Sequence, residues 1–407
     1  MILALLLPWA TFGRTWQVAP RGPLTTIKQA LELAGPGDTI LVRQGTYREK
    51  GLVISRPVYI KGLGAPVLDG ENKYEIISVH ASRVTIEGFR LINSGWSGWN
   101  DIAAIKICAQ RDVTIKNNRL EHTFFGILYQ NAVRGLITGN TLLSDAGNEI
   151  QSGNGIHCWH CDSMRIEHNE ISGHRDGIYF EFVTHSIILG NHSFDNVRYG
   201  LHFMFSHEDS YIDNIFRHNA AGVSVMFSHG VTMLGNTFTE NGGGGAYGIL
   251  MKEITDSYVH GNSFLNNTIG IYMEGTTRVK VIGNRFNANG YALKIQASCS
   301  SDTITRNNFS GNTFDVATNG SLVLNNFDGN YWDKYEGYDL NRDGIGDVPY
   351  HPVSLYSMIA EKNPAVMMLF HSFIVTLLDR TEKIMPGITP ENLKDDRPFI
   401  KQIKLRP

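Results

Sequence analysis

The sequence predicts an all-β chain wound into a single-stranded right-handed parallel β-helix, with coils of about 22 residues, an N-terminal capping helix and a helical C-terminal tail. The first observation behind this prediction is a repeated motif, in which an apolar residue is followed three positions later by an asparagine. Most of these asparagines are 22 or 23 residues apart. A unit of that length holds strands and turns but cannot bury its own apolar face, whereas stacked units can. The repeated asparagines are Asn118, Asn140, Asn169, Asn191, Asn214, Asn236, Asn262, Asn284, Asn307 and Asn325.

The second observation is a column of glycines, each followed by an aliphatic residue. Side chains alternate along a strand, so the aliphatic residues are predicted to point inward and the residue after each of them outward. Parallel crossover connections are overwhelmingly right-handed, which sets the hand of the coil. We interpret the asparagines as a structural ladder of side-chain amides inside a turn. The glycines are Gly126, Gly155, Gly177, Gly200, Gly222, Gly248 and Gly270, and the aliphatic residues that follow them are Ile127, Ile156, Ile178, Leu201, Val223, Ile249 and Ile271.

Composition agrees with a chain that turns often. Charged residues make up 18% of the 407 residues, glycine occurs 42 times, and the net charge is −3. This balance argues against a broadly basic nucleic-acid-binding protein, so no nucleic-acid partner is expected. No apolar run reaches the roughly 18 residues of a membrane-spanning helix, and four cysteines do not make a disulfide framework. The chain is therefore predicted to have no transmembrane segment of its own.

Four regions are predicted along the chain. Residues 1–19 resemble an export segment with a short apolar stretch; a buried first strand is the alternative. A short amphipathic helix, N-capped by Thr25 or Thr26 and stopped by Gly35-Pro36-Gly37, is predicted to cover the open first coil. The predicted regions are the export segment 1–19, the β-helix 20–335, an acidic loop 336–352 and a helical tail 353–407.

Two neighbouring coils carry a candidate metal site. Met204 and Met226 occupy the same outward position, His207 and His229 share a column at the following turn, and His202 lies on the same face as Met204. Thioether is a soft ligand and imidazole a borderline one, a combination suited to Cu(I). The alternative is a chance pair of methionines beside surface histidines. Because both pairs repeat in register, we favour a copper site.

Other candidate sites are weaker. Met251 and Met273 fall in the inward column and are predicted to be core residues. Cys158 also points inward, so the HCWHC run at 157–161 is interpreted as core and turn rather than as a zinc site. The outward carboxylates Glu181 and Glu274 are four coils apart, near 20 Å, which is too far for acid–base cooperation in a polysaccharide-degrading enzyme.

An acidic loop near the C-terminus spaces oxygen ligands like the first half of an EF-hand. Asp339, Asn341, Asp343 and Asp347 follow the DxNxDGxxD pattern, but Tyr350 stands where the closing bidentate glutamate belongs. A Ca²⁺ site and a solvated acidic turn therefore remain alternatives.

Two segments near the C-terminus are the most specific strings in the chain. They are NYWDKYEGYDLNRDGIGDVPYHP (330–352) and NPAVMMLFHSFIVTLLDRTEKIMPGITPENLKDDRPF (363–399). With the β-helix before them, they resemble the NosD family, maturation factors of nitrous oxide reductase with a CASH-type right-handed β-helix. The resemblance covers nearly the whole chain after the export segment. It implies a non-enzymatic periplasmic protein in an ABC-type complex with the permease NosY and the ATPase NosF. It also implies that copper passes from the lipoprotein NosL to the apo form of nitrous oxide reductase, NosZ.

No family motif carries copper ligands over residue by residue, so the ligand assignment rests on the columns. The apolar stretch 365–378 is too short to span a membrane and is predicted to dock on the permease, with plain capping of the solenoid as the alternative. Two other functions stay open at this point. One is a carbohydrate-active β-helix enzyme, and the other is a metal-free docking scaffold.

Overall fold

The computed structural model describes residues 13–145, 147, 149, 152–243, 245–320, 324–363, 366, 372, 378 and 393–405. Within these residues the chain is a right-handed parallel β-solenoid of about 13 turns, which confirms the predicted fold class. Each full coil contributes one strand to each of three parallel sheets.

The first sheet has 14 strands in the described residues, and each of its inner strands alternates a buried central residue with partly exposed neighbours. Its strands are β1 (Thr15–Val18), β2 (Thr39–Arg43), β5 (Tyr59–Leu63), β8 (Thr85–Glu87), β11 (Thr114–Lys116), β14 (Leu136–Thr138), β17 (Arg165–Glu167), β20 (Ile187–Leu189), β23 (Ser210–Ile212), β26 (Thr232–Leu234), β29 (Tyr258–His260), β32 (Lys280–Ile282), β35 (Ser300–Thr305) and β38 (Leu324–Asp328).

The second sheet has 12 strands in the described residues and contains the column of aliphatic residues after the glycines. Its strands are β4 (Leu52–Ile54), β7 (Ile77–Val79), β10 (Ala103–Cys108), β13 (Phe125–Gln130), β16 (Ile156–Trp159), β19 (Asp176–Glu181), β22 (Tyr199–Met204), β25 (Ala221–His229), β28 (Tyr247–Thr255), β31 (Ile269–Glu274), β34 (Tyr291–Ile295) and β37 (Phe314–Ala317).

The third sheet has 13 strands in the described residues. Its strands are β3 (Thr46–Tyr47), β6 (Val67–Asp69), β9 (Arg90–Ile92), β12 (Arg119–Glu121), β15 (Thr141–Leu143), β18 (Glu170–Ser172), β21 (His192–Phe194), β24 (Ile215–Arg217), β27 (Thr237–Thr239), β30 (Ser263–Leu265), β33 (Arg285–Asn287), β36 (Asn308–Ser310) and β39 (Tyr331–Trp332). Inside it, aromatic rings stack from coil to coil with centroids 4.1–5.4 Å apart; they belong to Phe216, Phe238, Phe264, Phe286, Phe309 and Trp332.

Both described helices lie near the ends of the solenoid. Helix α1 (Ile27–Leu33) begins after Thr26, whose side chain accepts a hydrogen bond from the Gln29 amide, and it ends before the predicted glycine–proline stop. Its buried residues Ile27 and Ala30 belong to the main hydrophobic core. Helix α2 (Leu355–Lys362) packs near β37. Strand β1 lies inside the segment 1–19, so residues 15–18 of the predicted export segment are part of the first sheet.

The glycine column exists because the coils approach closely at that point. A Cβ added to Gly222 would lie 2.6 Å from the Gly248 carbonyl oxygen and 3.1 Å from a Phe238 ring carbon. The aliphatic residue after each of the seven glycines is fully buried, as the alternation predicts.

The asparagine ladder is present, with one correction at its end. Asn214 shows the pattern, since its Oδ1 accepts from the Asn191 amide (2.9 Å) and its Nδ2 donates to Asn236 Oδ1 (2.9 Å). After Asn307 the ladder continues to Asn330, and not to Asn325 as the sequence predicted. Asn325 instead accepts from the Asp302 amide in a neighbouring column. The reason is visible in the spacing, because Asn330 restores a step of 23 residues and follows a left-handed glycine, as Asn140 and Asn191 do.

The sequence analysis missed a second ladder of buried amides beside the third sheet. Its side chains bond from coil to coil in the same way, starting from the backbone amide of His174. The members of this second ladder are Asn196, Asn219, Asn241, Asn267, Asn289 and Asn312.

Among the described residues, the C-terminal tail contains helix α2 and a non-helical end. Helix α2 is followed by residues that lie mostly outside the described ones, and residues 393–405 then form bridges with the last coils. The buried Asp395 accepts hydrogen bonds from the amides of Gly329 (2.9 Å) and Asn330 (2.8 Å), from the Asn330 side chain (3.0 Å) and from the Trp332 indole (3.0 Å). A carboxylate thereby closes the asparagine ladder, since it can accept these donors where no further asparagine follows.

Candidate functional site

The outward face of the second sheet brings the predicted methionines together. Met204 on β22 and Met226 on β25 are direct register partners, and both are half-buried. His202 and Ser224 are register partners two positions earlier on the same strands. Because every second residue of a strand faces the same way, these four side chains form one patch on adjacent strands.

His202 is the imidazole that shares a sheet face with the methionines. It is only 7% exposed, between the rings of Tyr179 and Tyr199, whose centroids are both 4.9 Å away. Among the described residues, neither ring nitrogen has a hydrogen-bond partner; Asp176 Oδ2 lies 3.7 Å from Nδ1, within ion-pair range but beyond hydrogen-bonding distance. The buried Ser224 hydroxyl also has no hydrogen-bond partner among them. Buried polar groups are normally hydrogen-bonded, so an imidazole without a hydrogen bond beside two thioethers suits a metal site.

A buried ion pair borders this patch. Arg198 binds Asp176 through two hydrogen bonds of 2.9 and 2.6 Å. Burial by itself raises the pKa of Asp176, but the Arg198 guanidinium and the nearby His202 ring together hold it below its usual value. On the other side of Tyr179, burial lowers the pKa of His157 to about 3, and a neighbouring arginine adds to this shift. His157 is therefore neutral at physiological pH.

The second predicted pair, His207 and His229, follows two residues after the left-handed Phe205 and Phe227. The two rings stack with centroids 4.1 Å apart and an interplanar angle of 11°. The His229 amide donates to His207 Nδ1 (3.3 Å), which leaves the proton of the neutral ring on Nε2. Burial, followed by the charge of His229, lowers the pKa of His207. While this hydrogen bond holds, His207 is a poorer metal ligand than His202.

An aromatic ladder separates the two predicted pairs, and the sequence analysis did not identify it. Phe182, Phe205 and Phe227 stack with centroids 5.1–5.3 Å apart, and His160 extends the stack at 4.6 Å. Phe182 and Phe227 are 39% and 37% exposed. All four residues have left-handed backbone angles, which are uncommon for bulky residues. The signal was available, because each phenylalanine directly follows a residue of the outward column that contains the methionines.

The remaining sulfur-containing candidates lie inside the solenoid, as predicted. Met251, Met273 and Cys158 are fully buried core residues, and Cys161 is 2% exposed. Burial raises the pKa of the Cys158 thiol well above its usual value, which disfavours the thiolate that a metal would need. Among the described residues, no group of three or more His, Cys, Asp or Glu side chains is arranged to hold a metal ion.

The outward carboxylates do not form an acid–base pair. Glu181, Met204, Met226, Lys252 and Glu274 are successive register partners, so the two glutamates are four strand spacings apart, about 19 Å. Glu274 forms an ion pair of 3.5 Å with Lys252. This column therefore lacks the paired carboxylates of a glycoside hydrolase.

Comparison with known proteins identifies a family to which the chain is similar. The family model described as periplasmic copper-binding protein (NosD) matches residues 144–337, a range that contains the whole patch. A relative from Pseudomonas aeruginosa, named probable ABC transporter binding protein NosD, is 28% identical over 402 residues, covering 87% of this chain and 86% of the relative. A relative of the same name from Stutzerimonas stutzeri is 28% identical over 399 residues, covering 86% and 84%. The chain is thus similar to the NosD family over most of its length.

Solved structures share the solenoid fold of this chain at low sequence identity. The mannuronan C-5 epimerase AlgE6 A-module of Azotobacter vinelandii has a TM-score of 0.64 at 14% identity, covering 77% of this chain and 98% of that one. PfbA, a surface adhesin of Streptococcus pneumoniae, has a TM-score of 0.59 at 11% identity, covering 72% and 87%. At these identities the likeness shows the fold alone.

The acidic loop of this chain is folded on itself. Asp339 accepts hydrogen bonds from the amides of Asp343 (3.2 Å) and Gly344 (2.9 Å), and Asp347 accepts from the Leu340 amide (2.6 Å). Ca²⁺ binding at this loop stays a prediction. None of the helices in the described ranges has the length and apolar content needed to cross a membrane.

Proposed function

We propose that this chain is a member of the NosD family, a periplasmic accessory protein of nitrous oxide reductase maturation that binds copper as Cu(I) and passes it to the apo enzyme NosZ. In this proposal the chain is not an enzyme. Copper reaches it from the lipoprotein NosL, and the chain works in a complex with the permease NosY and the ATPase NosF. The family description as periplasmic and copper-binding, and the relatives' names as ABC transporter binding proteins, support these roles.

One observation carries the proposal: the in-register Met204–Met226 pair lies on the same sheet face as the buried His202, whose ring nitrogens have no hydrogen-bond partner among the described residues. Two thioethers and one imidazole suit Cu(I), which is soft, better than they suit Zn²⁺ or Ca²⁺. Ligands at positions i and i+2 of one strand and on the adjacent strand can converge above the sheet. In this arrangement Met204, Met226 and His202 bind the ion, and the half-buried His207 and the exposed His229 form a second pair beyond the phenylalanine ladder.

The half-buried position of the methionines suits transfer. A fully enclosed ion would be released slowly, whereas a thioether pair at the surface lets a partner's ligands approach before the first bonds break. The exposed phenylalanines beside it offer an apolar contact for such a partner. For the apolar stretch 365–378, which lies mostly outside the described residues, the proposal is docking on the permease, while residues 393–405 cap the solenoid.

Anaerobic titration with Cu(I), in competition with a chromophoric chelator, tests the copper proposal. The variant Met204→Leu/Met226→Leu removes both thioethers and keeps the side-chain volume, and it is expected to bind Cu(I) at least tenfold more weakly. The matched control is Met251→Leu/Met273→Leu, which removes two core thioethers and is expected to bind like the wild type. His202→Gln is expected to weaken binding more than His229→Gln.

Unchanged affinity in Met204→Leu/Met226→Leu would refute the site. Absence of any Cu(I) binding by the wild type would favour the metal-free docking scaffold. Release of reducing sugars from polyuronates would instead support the carbohydrate-active enzyme, which the separation of Glu181 and Glu274 argues against.

A further inference from the structure

A cleft at the C-terminal end of the solenoid collects basic side chains. It has a volume of about 550 Å³ and lies between the acidic loop, the last coils and residues 399–404 of the tail. Its basic lining residues are Arg306, Arg342, Lys401 and Lys404. One carboxylate, that of Asp339, lines the same cleft. The cleft thus holds an excess of positive charge in a chain whose net charge is −3.

Within the described residues, none of the four basic side chains of this cleft forms an ion pair. Neighbouring basic residues of the same region do form ion pairs. Arg397 binds Asp328 through two hydrogen bonds, and Lys394 lies 2.8 Å from Asp396. Asp339 is already engaged by the two backbone amides of its own loop. Four unpaired cations facing one concave volume produce a positive potential that solvent screens less than on a convex surface.

The backbone that carries these cations is held in place by the solenoid. The Asn308 side chain accepts from the Ile403 amide (2.9 Å) and donates to the Ile403 carbonyl (2.8 Å). The Phe399 amide donates to the Asn330 carbonyl (2.8 Å), and the Ile400 amide donates to the Gly344 carbonyl (3.1 Å). The loop and the tail are thereby fixed against each other, so the cleft does not have to be assembled when a ligand arrives.

We propose that the basic cleft is a binding site for a phosphate-type oxyanion. Guanidinium groups bind phosphate oxygens through paired, charge-assisted hydrogen bonds, and lysine ammonium groups add charge from flexible stems. The volume exceeds that of one phosphate and leaves room for the group to which the phosphate is esterified. The ligand is either a soluble phosphate compound or the headgroup of an anionic phospholipid, and the same cations recognise both.

The test uses the full chain at low ionic strength, with two probes. Pyrophosphate is titrated by calorimetry, and co-sedimentation is measured with vesicles of phosphatidylglycerol in phosphatidylcholine and with vesicles of phosphatidylcholine alone. The cleft variant is Arg306→Gln/Arg342→Gln. The control variant Arg21→Gln/Lys28→Gln removes two exposed charges at the opposite end of the solenoid. Circular dichroism establishes that both variants are folded.

Binding of either probe that falls about tenfold or more in the cleft variant, and stays at the wild-type value in the control, supports the proposal. Pyrophosphate binding assigns the site to a soluble ligand, and binding restricted to the anionic vesicles assigns it to a headgroup. Failure of the wild type to bind either probe overturns the proposal, as does equal loss in both variants. Retention of an oligoglutamate peptide without phosphate binding also overturns it, because the cleft would then be a peptide site.

Discussion

Asp395 is expected to hold the C-terminal end of the solenoid closed. The substitution Asp395→Ala removes the acceptor of the Gly329 and Asn330 amides, of the Asn330 side chain and of the Trp332 indole. The carboxylate is fully buried, so water cannot replace it without opening the end of the coil. A buried donor left unpaired costs about 1–3 kcal/mol, and three of these donors have no other hydrogen-bond partner among the described residues. The expected loss in the free energy of unfolding is about 3–5 kcal/mol.

Urea unfolding followed by circular dichroism measures this loss, and hydrogen exchange at the Gly329 and Asn330 amides shows where it occurs. Asp395→Asn keeps one acceptor oxygen and is expected to fall between the wild type and Asp395→Ala. The matched control is Asp396→Ala, which removes the adjacent carboxylate and its exposed ion pair with Lys394 and is expected to change stability by less than about 1 kcal/mol. Equal stability of Asp395→Ala and Asp396→Ala, with unchanged exchange at both amides, would refute the capping role.

Two further predictions concern the interior. Gly222→Ala is expected to lower the free energy of unfolding in urea by about 1–3 kcal/mol, because its Cβ would lie 2.6 Å from the Gly248 carbonyl oxygen. The control Gly242→Ala meets nothing within 4 Å and is expected to leave stability unchanged. Equal effects of the two substitutions would contradict the close-approach explanation. Burial raises the pKa of Asp209 to about 8, whereas the same carboxyl in the unfolded chain loses its proton near pH 4. The native state therefore binds more protons between these pH values, and the free energy of unfolding should fall as the pH rises from about 4 to about 8. Asp209→Asn removes this pH dependence. Its free energy of unfolding should therefore rise relative to that of the wild type by up to about 1.4 kcal/mol for each pH unit in that range. A difference between the two proteins that does not change with pH would show that the carboxyl is ionised in the folded state.

The sequence was sufficient for the fold because each coil repeats the same steric demands. A glycine column and a buried aliphatic column are needed wherever coils stack closely, so their spacing carries the architecture. The prediction from this regularity was wrong at the last coil, where three asparagines occur close together. The motif alone did not distinguish Asn325 from Asn330. The cap at Asp395 could not be predicted, because its partners lie more than 60 residues away in sequence.

The candidate site was predicted in part for a related reason. Alternation assigns a residue to the inner or outer side of a sheet, and it placed Met204 and Met226 together correctly. It does not show what covers the outer side, so the burial of His202, and of Ser224 and Leu128, in outward positions was not foreseen. Nor does it show local hydrogen bonds, such as the one that occupies the Nδ1 lone pair of His207.

X-ray absorption at the copper edge, on the chain loaded anaerobically with one equivalent of Cu(I), identifies the atoms that bind the ion. Binding by Met204, Met226 and His202 predicts a first coordination shell with two sulfur atoms and one imidazole nitrogen, and loss of both sulfur atoms in Met204→Leu/Met226→Leu. The Met251→Leu/Met273→Leu control should keep the wild-type spectrum. A shell made only of nitrogen and oxygen, or sulfur neighbours that persist in Met204→Leu/Met226→Leu, would contradict this assignment of the copper ligands.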